Sequence, residues 1–551
     1  MSTTAVPPST KASAGDRFLS GVERIGNKLP EPFALFTLLF LITAVISTAM
    51  AWAGVQVNVP GAKEPVAVKG LFTGEGIAWF TSNIGKNYIG FPPLLTVMPI
   101  LLAIGIAEKS GFLGAAIRYS IGRAPRWGLP YAVGFVGVVG SIMADSAFVI
   151  IPPLAALAFK AVGRHPVAGL LGGFAAAGAG YSTNLFPTSL DALFAGITNA
   201  VIPTVPLLQE TAHTVNPVSN YYFNVVSSIV LSLIAGFIID KVIEPRLIRA
   251  GIPREERVDA DTVDTPLTTE TREMRILGEE QSVAEARRND VAGALSPRER
   301  KALLWGTLAF LMVGVAMLVF ALLPGSPWRN EEGAFLPKSP LLDSIVFIIF
   351  TFFAVSGYVY GRVAGTIRGF RDVPVLMGEA LKDMMGFLVL AFVLGQFIAL
   401  FNWSGIGSWT AVRGAEVVES AGITGFPVII VFVLLCSVLN LFIISGSSMW
   451  TLMAAVFVPM FGLLGFEPAF VQAAFRVGDS ATQVMTPLNP YMVVLLAMLR
   501  RYEPEAGLGT TMARMIPFVV PFWAAWLALL FGFYMLDLPL GPGAGIMIEG
   551  R

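Results

Sequence analysis

The chain has few charges and few of the residues that build catalytic or metal centres. Only 13% of its residues are charged and 55% are hydrophobic. A soluble domain carries about a quarter charged residues, so the balance here is that of a membrane protein. The single cysteine, Cys436, sits in an apolar run, which excludes an internal disulfide and a cysteine-ligated metal. The two histidines, His165 and His213, are too few and too far apart for a metal centre and read as loop residues. The formal net charge is zero and no basic block interleaves with aromatics, so nucleic acid is not an expected partner. The polar segment 1–31 lacks the apolar core and small-residue cleavage site of a signal peptide. No cofactor is expected.

Long apolar runs dominate what is present. A bilayer span needs about 20 mostly apolar residues. Candidates are 32–52, 91–107, 222–243, 303–323, 341–360, 374–401, 426–444 and 515–536. Two further stretches, 129–201 and 445–499, are apolar but interrupted by Gly, Pro, Ser, Asp and Asn. They are too long for one span and too broken for several simple ones. The expected organisation is an N-terminal arm (1–31), a first membrane half (32–243), a charged linker (244–301), a second membrane half (302–536) and a tail (537–551). The linker reads as soluble and at most partly helical around 279–288. The last four residues, Ile548-Glu549-Gly550-Arg551, read as a protease-cleavage scar.

Lys and Arg bias assigns sides. Basic residues gather in the N-terminal arm, in 109–126, in the linker, in 362–371 and in 500–514, all placed in the cytoplasm. Segments 203–220 and 537–545 contain neither Lys nor Arg, and 402–425 contains only Arg413, so these are placed outside. The first broken stretch then runs from cytoplasm to exterior and the second runs the opposite way.

These two stretches resemble each other. The first runs Asp145-Ser146-Ala147-Phe148, reaches Pro166 twenty residues after Ser146, and continues through Gly180-Tyr181-Ser182-Thr183-Asn184 to Thr188-Ser189-Leu190-Asp191. The second runs Ser447-Ser448-Met449-Trp450, reaches Pro468 twenty residues after Ser448, and continues through Gly478-Asp479-Ser480-Ala481-Thr482 to Thr486-Pro487-Leu488-Asn489. Broken helices persist at membrane depth only where protein buries them or they line a cavity. Paired interruptions in inverted repeats therefore point to a mid-membrane solute site and alternating access. Freed N–H groups suit an anion, and freed carbonyls suit a cation. The glycines between Val167 and Gly180 have a second reading, close helix packing.

Charges at membrane depth cost about 3 kcal/mol or more and usually mark function. Asp145, Asp191, Arg476 and Asp479 lie within the broken stretches. Arg476 and Asp479, three residues apart, either pair on one helix face or serve a solute. Asp191 has no basic neighbour in sequence, which suits a proton carrier, with a capping role as the alternative. Trp450 is either an interfacial belt residue or a stacking surface for an aromatic solute.

At these residues the sequence resembles the AbgT family, the p-aminobenzoyl-glutamate transporters. The resemblance covers nearly the whole membrane portion. It is most specific from Ser447 through Pro459-Met460-Phe461, Pro468, Gln472-Ala473-Ala474-Phe475-Arg476-Val477-Gly478-Asp479-Ser480 and Asn489-Pro490-Tyr491, with Asn184-Leu185 and Ser189-Leu190-Asp191-Ala192-Leu193 in the first half. It implies an all-α polytopic membrane protein with about nine transmembrane helices plus two re-entrant hairpins in inverted repeats, forming a bowl-shaped homodimer in the bacterial inner membrane. Members take up p-aminobenzoyl-glutamate or export sulfonamide antimetabolites using the proton gradient. Carried over by motif, Asn440, Ser447, Trp450, Pro468 and Arg476 line the solute path and Asp191 couples protons.

The expected mechanism pairs Arg476 with a solute carboxylate or sulfonyl oxygen, stacks Trp450 on the aminobenzoyl ring, and uses Asn440 and Ser447 as hydrogen-bonding groups. The rival within transport is sodium coupling through Ser182, Asn184, Asp479, Ser480 and Thr482, whose oxygens suit a hard cation. An intramembrane hydrolase would need a base beside Ser447, and neither histidine is placed at membrane depth, so an enzyme is not expected. A passive channel would show flux without saturation.

Overall fold

A computed structural model of the chain describes residues 31–254, 295–336, 338–443, 445–486 and 489–548. The expected helix around 279–288 lies outside the described residues. The first half contains helices α1 Pro32–Trp52, α2 Gly74–Ile89, α3 Pro92–Lys109, α4 Phe112–Gly122, α5 Leu129–Gly140, α6 Ser146–Ala161, α7 Pro166–Ala179, α8 Ser189–Val201 and α9 Tyr221–Ile238. The second contains α10 Pro297–Leu322, α11 Ile345–Ala364, α12 Asp372–Asp383, α13 Met385–Trp403, α14 Ile406–Ser420, α15 Phe426–Asn440, α16 Gly446–Leu463, α17 Pro468–Gln483, α18 Pro490–Arg500 and α19 Leu508–Met535. Eight helical stretches among the described residues are long and apolar enough to cross a bilayer. Helix α10 leaves Leu304, Leu311 and Met312 exposed, an apolar surface that suits lipid and not water.

Local chemistry sets several boundaries differently from the sequence reading. Helix α10 starts within the charged stretch, because Ser296 and Glu299 form a capping box around Pro297. Helix α9 continues through a π-helical turn, Ile239–Ile243, into Glu244–Arg249, so the linker is shorter at both ends than expected. The expected span 374–401 divides at Met384, just after Lys382 and Asp383, into α12 and α13. The connection at 402–425 holds α14, and a two-stranded antiparallel ribbon pairs Gln56 with Ala67 and Val57 with Val66.

The repeat emerges as two matched sets of four helices, α5–α8 and α15–α18. Their lengths are 12, 16, 14 and 13 residues in the first and 15, 18, 16 and 11 in the second. The run 426–444, expected as a simple span, is the opening arm of the second set: α15 stops at Asn440 and a short connection leads into α16. At about 1.5 Å per residue, most of these helices fall short of a bilayer's ~30 Å.

The two sets interlock. Helix α8 packs on α16, α18 packs on α6, and α7 meets α17 at the centre. Every residue of α7 and of α17 is buried. Glycine permits such close packing: a Cβ on Gly178 of α7 would lie 2.1 Å from Val484 Cγ1 at the end of α17, and one on Gly478 of α17 would lie 2.5 Å from Cys436 Cβ on α15. The close-packing reading of the glycine run therefore holds alongside the broken-helix reading.

The C-terminal segment docks on the same core. Ile546 O accepts from Glu467 N at 2.9 Å, and Ile548 N donates to Gly465 O at 2.8 Å. Ile548, the first residue of the segment read as a scar, is buried.

Candidate functional site

A cavity of 720 Å³ opens where the four helix breaks meet. The α5–α6 connection contributes Ser141, Ala144 and Asp145, and the α7–α8 connection contributes Tyr181, Thr188 and Ser189. The α15–α16 connection contributes Ser445, Ser447 and Ser448, and the α17–α18 connection contributes Gln483, Asn489 and Tyr491. Glu31, Pro32, Met384 and Phe387, at the starts of α1 and α13, also line it.

Each break is built by local hydrogen bonding. Thr188 Oγ1 accepts from Asp191 N, and the Asp191 carboxylate accepts from Thr188 N at 2.7 Å, a capping box that starts α8. Ser445 Oγ caps α16 by accepting from Ser448 N, and Asn489 Oδ1 caps α18 by accepting from Tyr491 N. Asn184 ties the first break together: its amide donates to Val139 O at 2.8 Å and to Ser141 Oγ at 2.9 Å. At the α5–α6 tip Ala144 holds φ +46°, a conformation L residues avoid at a cost of about 1–3 kcal/mol. The helices α6, α8, α16 and α18 all begin at the cavity, so their N-terminal partial positive charges converge there.

Behind the cavity wall the two repeats are joined by charge. Arg476 on α17 pairs with Asp191 on α8 at 2.8 Å and donates to Ser182 O at 2.6 Å. The guanidinium carbon lies 5.1 Å from the centre of the Phe194 ring. Asp191 also accepts from Thr188 Oγ1 at 2.8 Å and Asn224 Nδ2 at 3.1 Å. Asp479 takes no part in that pair: it accepts from Ser182 Oγ at 3.2 Å and from Asn440 Nδ2 at 2.7 Å. Asn440 also donates to the Asp479 backbone carbonyl.

Several expectations are thereby revised. Arg476 does not pair with Asp479, and Asp191 does not lack a cation, because its partner comes from the other repeat. Trp450 is fully buried, so it is not a belt residue, and it does not line the cavity. Its indole N–H donates to Thr198 Oγ1 at 3.1 Å and to Phe194 O at 3.3 Å, and its ring lies 4.6 Å from that of Phe475. Arg476 and Asn440 are likewise enclosed in this conformation. Pro468 opens α17 at its far end, away from the cavity lining. Ser447 is the one expected solute contact that faces the cavity directly.

Of the remaining oxygens, Ser182 serves Asp479, and Thr482 Oγ1 donates to Gly478 O at 3.1 Å. Ser480 Oγ finds no hydrogen-bond partner among the described residues. His213 is no ordinary loop histidine, since its Nδ1 lies 2.8 Å from Glu467 Oε1 at the start of α17. Sequence reasoning missed Tyr181 and Tyr491 as cavity residues, although each adjoins a break, and it singled out Asp145 as a charge in a broken stretch without giving it a role. It also missed Gln472, which accepts from Thr198 Oγ1 at 2.7 Å and donates to Asn220 Oδ1 at 2.9 Å.

Comparison with known proteins agrees with this architecture. A sequence model described as the "AbgT putative transporter family" matches residues 17–278 and 262–548. The chain is 36% identical over 547 residues to the p-aminobenzoyl-glutamate transport protein of Escherichia coli (strain K12), covering 98% of this chain and 99% of that one. It superposes on the Alcanivorax borkumensis YdaH transporter, whose topology is described as unusual, with a TM-score of 0.81 at 31% identity, covering 93% of this chain and 100% of that one. It superposes on Neisseria gonorrhoeae MtrF, described as illuminating a class of antimetabolite efflux pumps, with a TM-score of 0.82 at 35% identity, covering 96% and 100%. The chain is a multi-pass membrane protein that belongs to the AbgT family, a family of transporters and not of enzymes.

Proposed function

We propose that the chain is a secondary active transporter of p-aminobenzoyl-glutamate-like solutes, including sulfonamide antimetabolites, driven by protons and acting as a homodimer in the bacterial inner membrane. The observation that carries this reading is the cavity at the meeting point of both repeats' helix breaks, with four helix N-termini directed at it. Such termini suit a solute bearing carboxylate or sulfonyl oxygens. The relative that shares 36% identity is a p-aminobenzoyl-glutamate transport protein, and MtrF belongs to a class of antimetabolite efflux pumps.

The short α5–α6 and α15–α16 pairs serve as the two re-entrant hairpins, and nine spans complete the fold. On the Lys and Arg assignment, the starts of α1 and α13 are cytoplasmic, so the conformation described is open to the cytoplasm.

The Arg476–Asp191 pair couples the cycle. It joins α17 of one repeat to α8 of the other, so a proton on Asp191 removes the charge that holds Arg476 and frees the guanidinium for an anionic solute. Trp450 and Asn440 act through this network while it stays enclosed and reach solute only when it rearranges. Accumulation of labelled p-aminobenzoyl-glutamate in proteoliposomes with an imposed pH gradient and no sodium tests the reading. Loss of accumulation with a protonophore and with Asp191→Asn is expected; accumulation indifferent to both would refute proton coupling.

Sodium coupling is the second reading, favoured by one observation. The buried oxygens Ser480 Oγ and Asn440 Oδ1 find no hydrogen-bond partner among the described residues, and both residues adjoin Asp479. Flux that follows a sodium gradient at fixed pH would select it.

A further inference from the structure

The charged side chains of the cavity, unlike the helix N-termini around it, are at odds with an anionic solute. Among the described residues no Lys, Arg or His lines it, and the carboxylic acids there are Glu31 beside the start of α1 and Asp145 at the α5–α6 tip. Asp145 is open to the cavity, adjoins the strained Ala144, and shares the cavity lining with Tyr491 of the opposite repeat. The Tyr491 ring is itself fixed, stacked on Phe148 with centroids 5.2 Å apart and planes 3° from parallel. Tyr181 lines the same cavity and lies against Gly446 at the start of α16, its hydroxyl 3.5 Å from where a Cβ on that glycine would sit.

A carboxylate facing an anion repels it, so Asp145 suits a different part of the solute. A carboxylate accepts N–H donors, and the two tyrosines offer ring surface. The 4-aminophenyl group answers both: it is planar, its weakly basic amine is neutral near pH 7, and it presents two N–H donors. It is also what p-aminobenzoyl-glutamate and the sulfonamides share, whereas their acidic ends differ.

We propose that Asp145 is the specificity-determining residue for the aryl amine of the solute, with Tyr181 and Tyr491 flanking the ring. This rests on the solute class proposed above. The acidic end of the solute then lies toward the N-termini of α8 and α16, at Ser189 and Ser447. The aromatic subsite is thus placed at the α5–α6 tip and not at Trp450.

The test compares p-aminobenzoyl-glutamate with benzoyl-glutamate, the same molecule without the amine, in equilibrium binding to the full chain. The unsubstituted chain should prefer the amine by about tenfold or more, because a site built to accept an N–H discriminates strongly against its absence. Asp145→Ala should bring that ratio close to one by weakening p-aminobenzoyl-glutamate relative to benzoyl-glutamate, with benzoyl-glutamate bound no more weakly than by the unsubstituted chain. Asp145→Asn, which keeps an acceptor oxygen and the shape of the tip, should retain a reduced preference. Retention of the full ratio in Asp145→Ala, or in Asp145→Asn should the alanine variant fail to fold, would overturn the proposal. So would equal weakening of both solutes, which marks a wall or carrier role. Equal binding of both by the unsubstituted chain would overturn it and leave the transport reading intact, whereas binding of neither would remove the solute class and this inference together.

Discussion

Removing Arg476 tests the electrostatic link between the repeats. Arg476→Leu leaves the Asp191 carboxylate buried without its cation, a change that typically costs about 3–5 kcal/mol. The structure places the effect toward the lower end. Asp191 keeps three donors after the loss, Thr188 N, Thr188 Oγ1 and Asn224 Nδ2, so its charge is not left bare. We therefore expect a loss of about 3 kcal/mol, with the companion change Asp191→Leu in the same chain recovering most of it, since an apolar pair of similar volume removes both desolvated charges. The assay is unfolding in detergent, read as a rate of inactivation where the process is irreversible. The double variant should be more stable than Arg476→Leu alone yet inactive in pH-driven transport. If Arg476→Leu stays within about 0.5 kcal/mol of the unsubstituted chain, and the double variant is no better than the single, the pair does not hold the repeats together.

Other consequences follow from packing and capping. Gly178→Ala places a methyl 2.1 Å from Val484 Cγ1 and should destabilise by about 1–3 kcal/mol, with Val484→Ala relieving part of the strain; thermal unfolding of both variants checks this. Thr188→Ala removes the Oγ1 arm of the α8 capping box and should cost about 0.5–2 kcal/mol, with lowered pH-driven flux because the same carboxylate pairs with Arg476. Trp450→Phe should weaken stability through loss of the indole donor to Thr198 while leaving solute binding to the cytoplasm-open form within about twofold, because the ring is remote from the cavity lining; equilibrium binding and unfolding separate the two effects.

The repeat was legible because its interruptions are chemical: Gly, Pro and hydroxyl residues recur at matched spacing, and Pro166, Pro468, Thr188 and Asn489 prove to mark helix starts, although 478–482 stays inside α17 where its counterpart 180–184 has left α7. Its first arm in the second half was not, since 426–444 reads as an unbroken apolar run and only the connection into Gly446 shortens it. Partners across the repeats were hidden as well. Asp191 looked solitary and Asp479 was the one pairing partner on offer for Arg476 because sequence shows only near neighbours, while the interlock of α8, α16 and α17 brings in distant ones. Trp450 was assigned by residue type, yet burial between Phe194 and Phe475 follows from which face of α16 meets α8, a fact no local pattern carries. Asp145 was visible as a charge beside a break, and only the cavity shows that it is the charge open to solute.

The central claim, that the cavity between the repeats receives the solute, is most directly tested by thiol accessibility. Cys436 is the chain's single cysteine and is fully buried, so Ser447→Cys introduces the one thiol that faces the cavity. The measurement is the rate at which a membrane-impermeant maleimide labels that variant in proteoliposomes, with and without p-aminobenzoyl-glutamate. The account predicts labelling that slows as the solute saturates. Labelling at the same rate with and without solute, while transport still saturates, would place the solute elsewhere and contradict it.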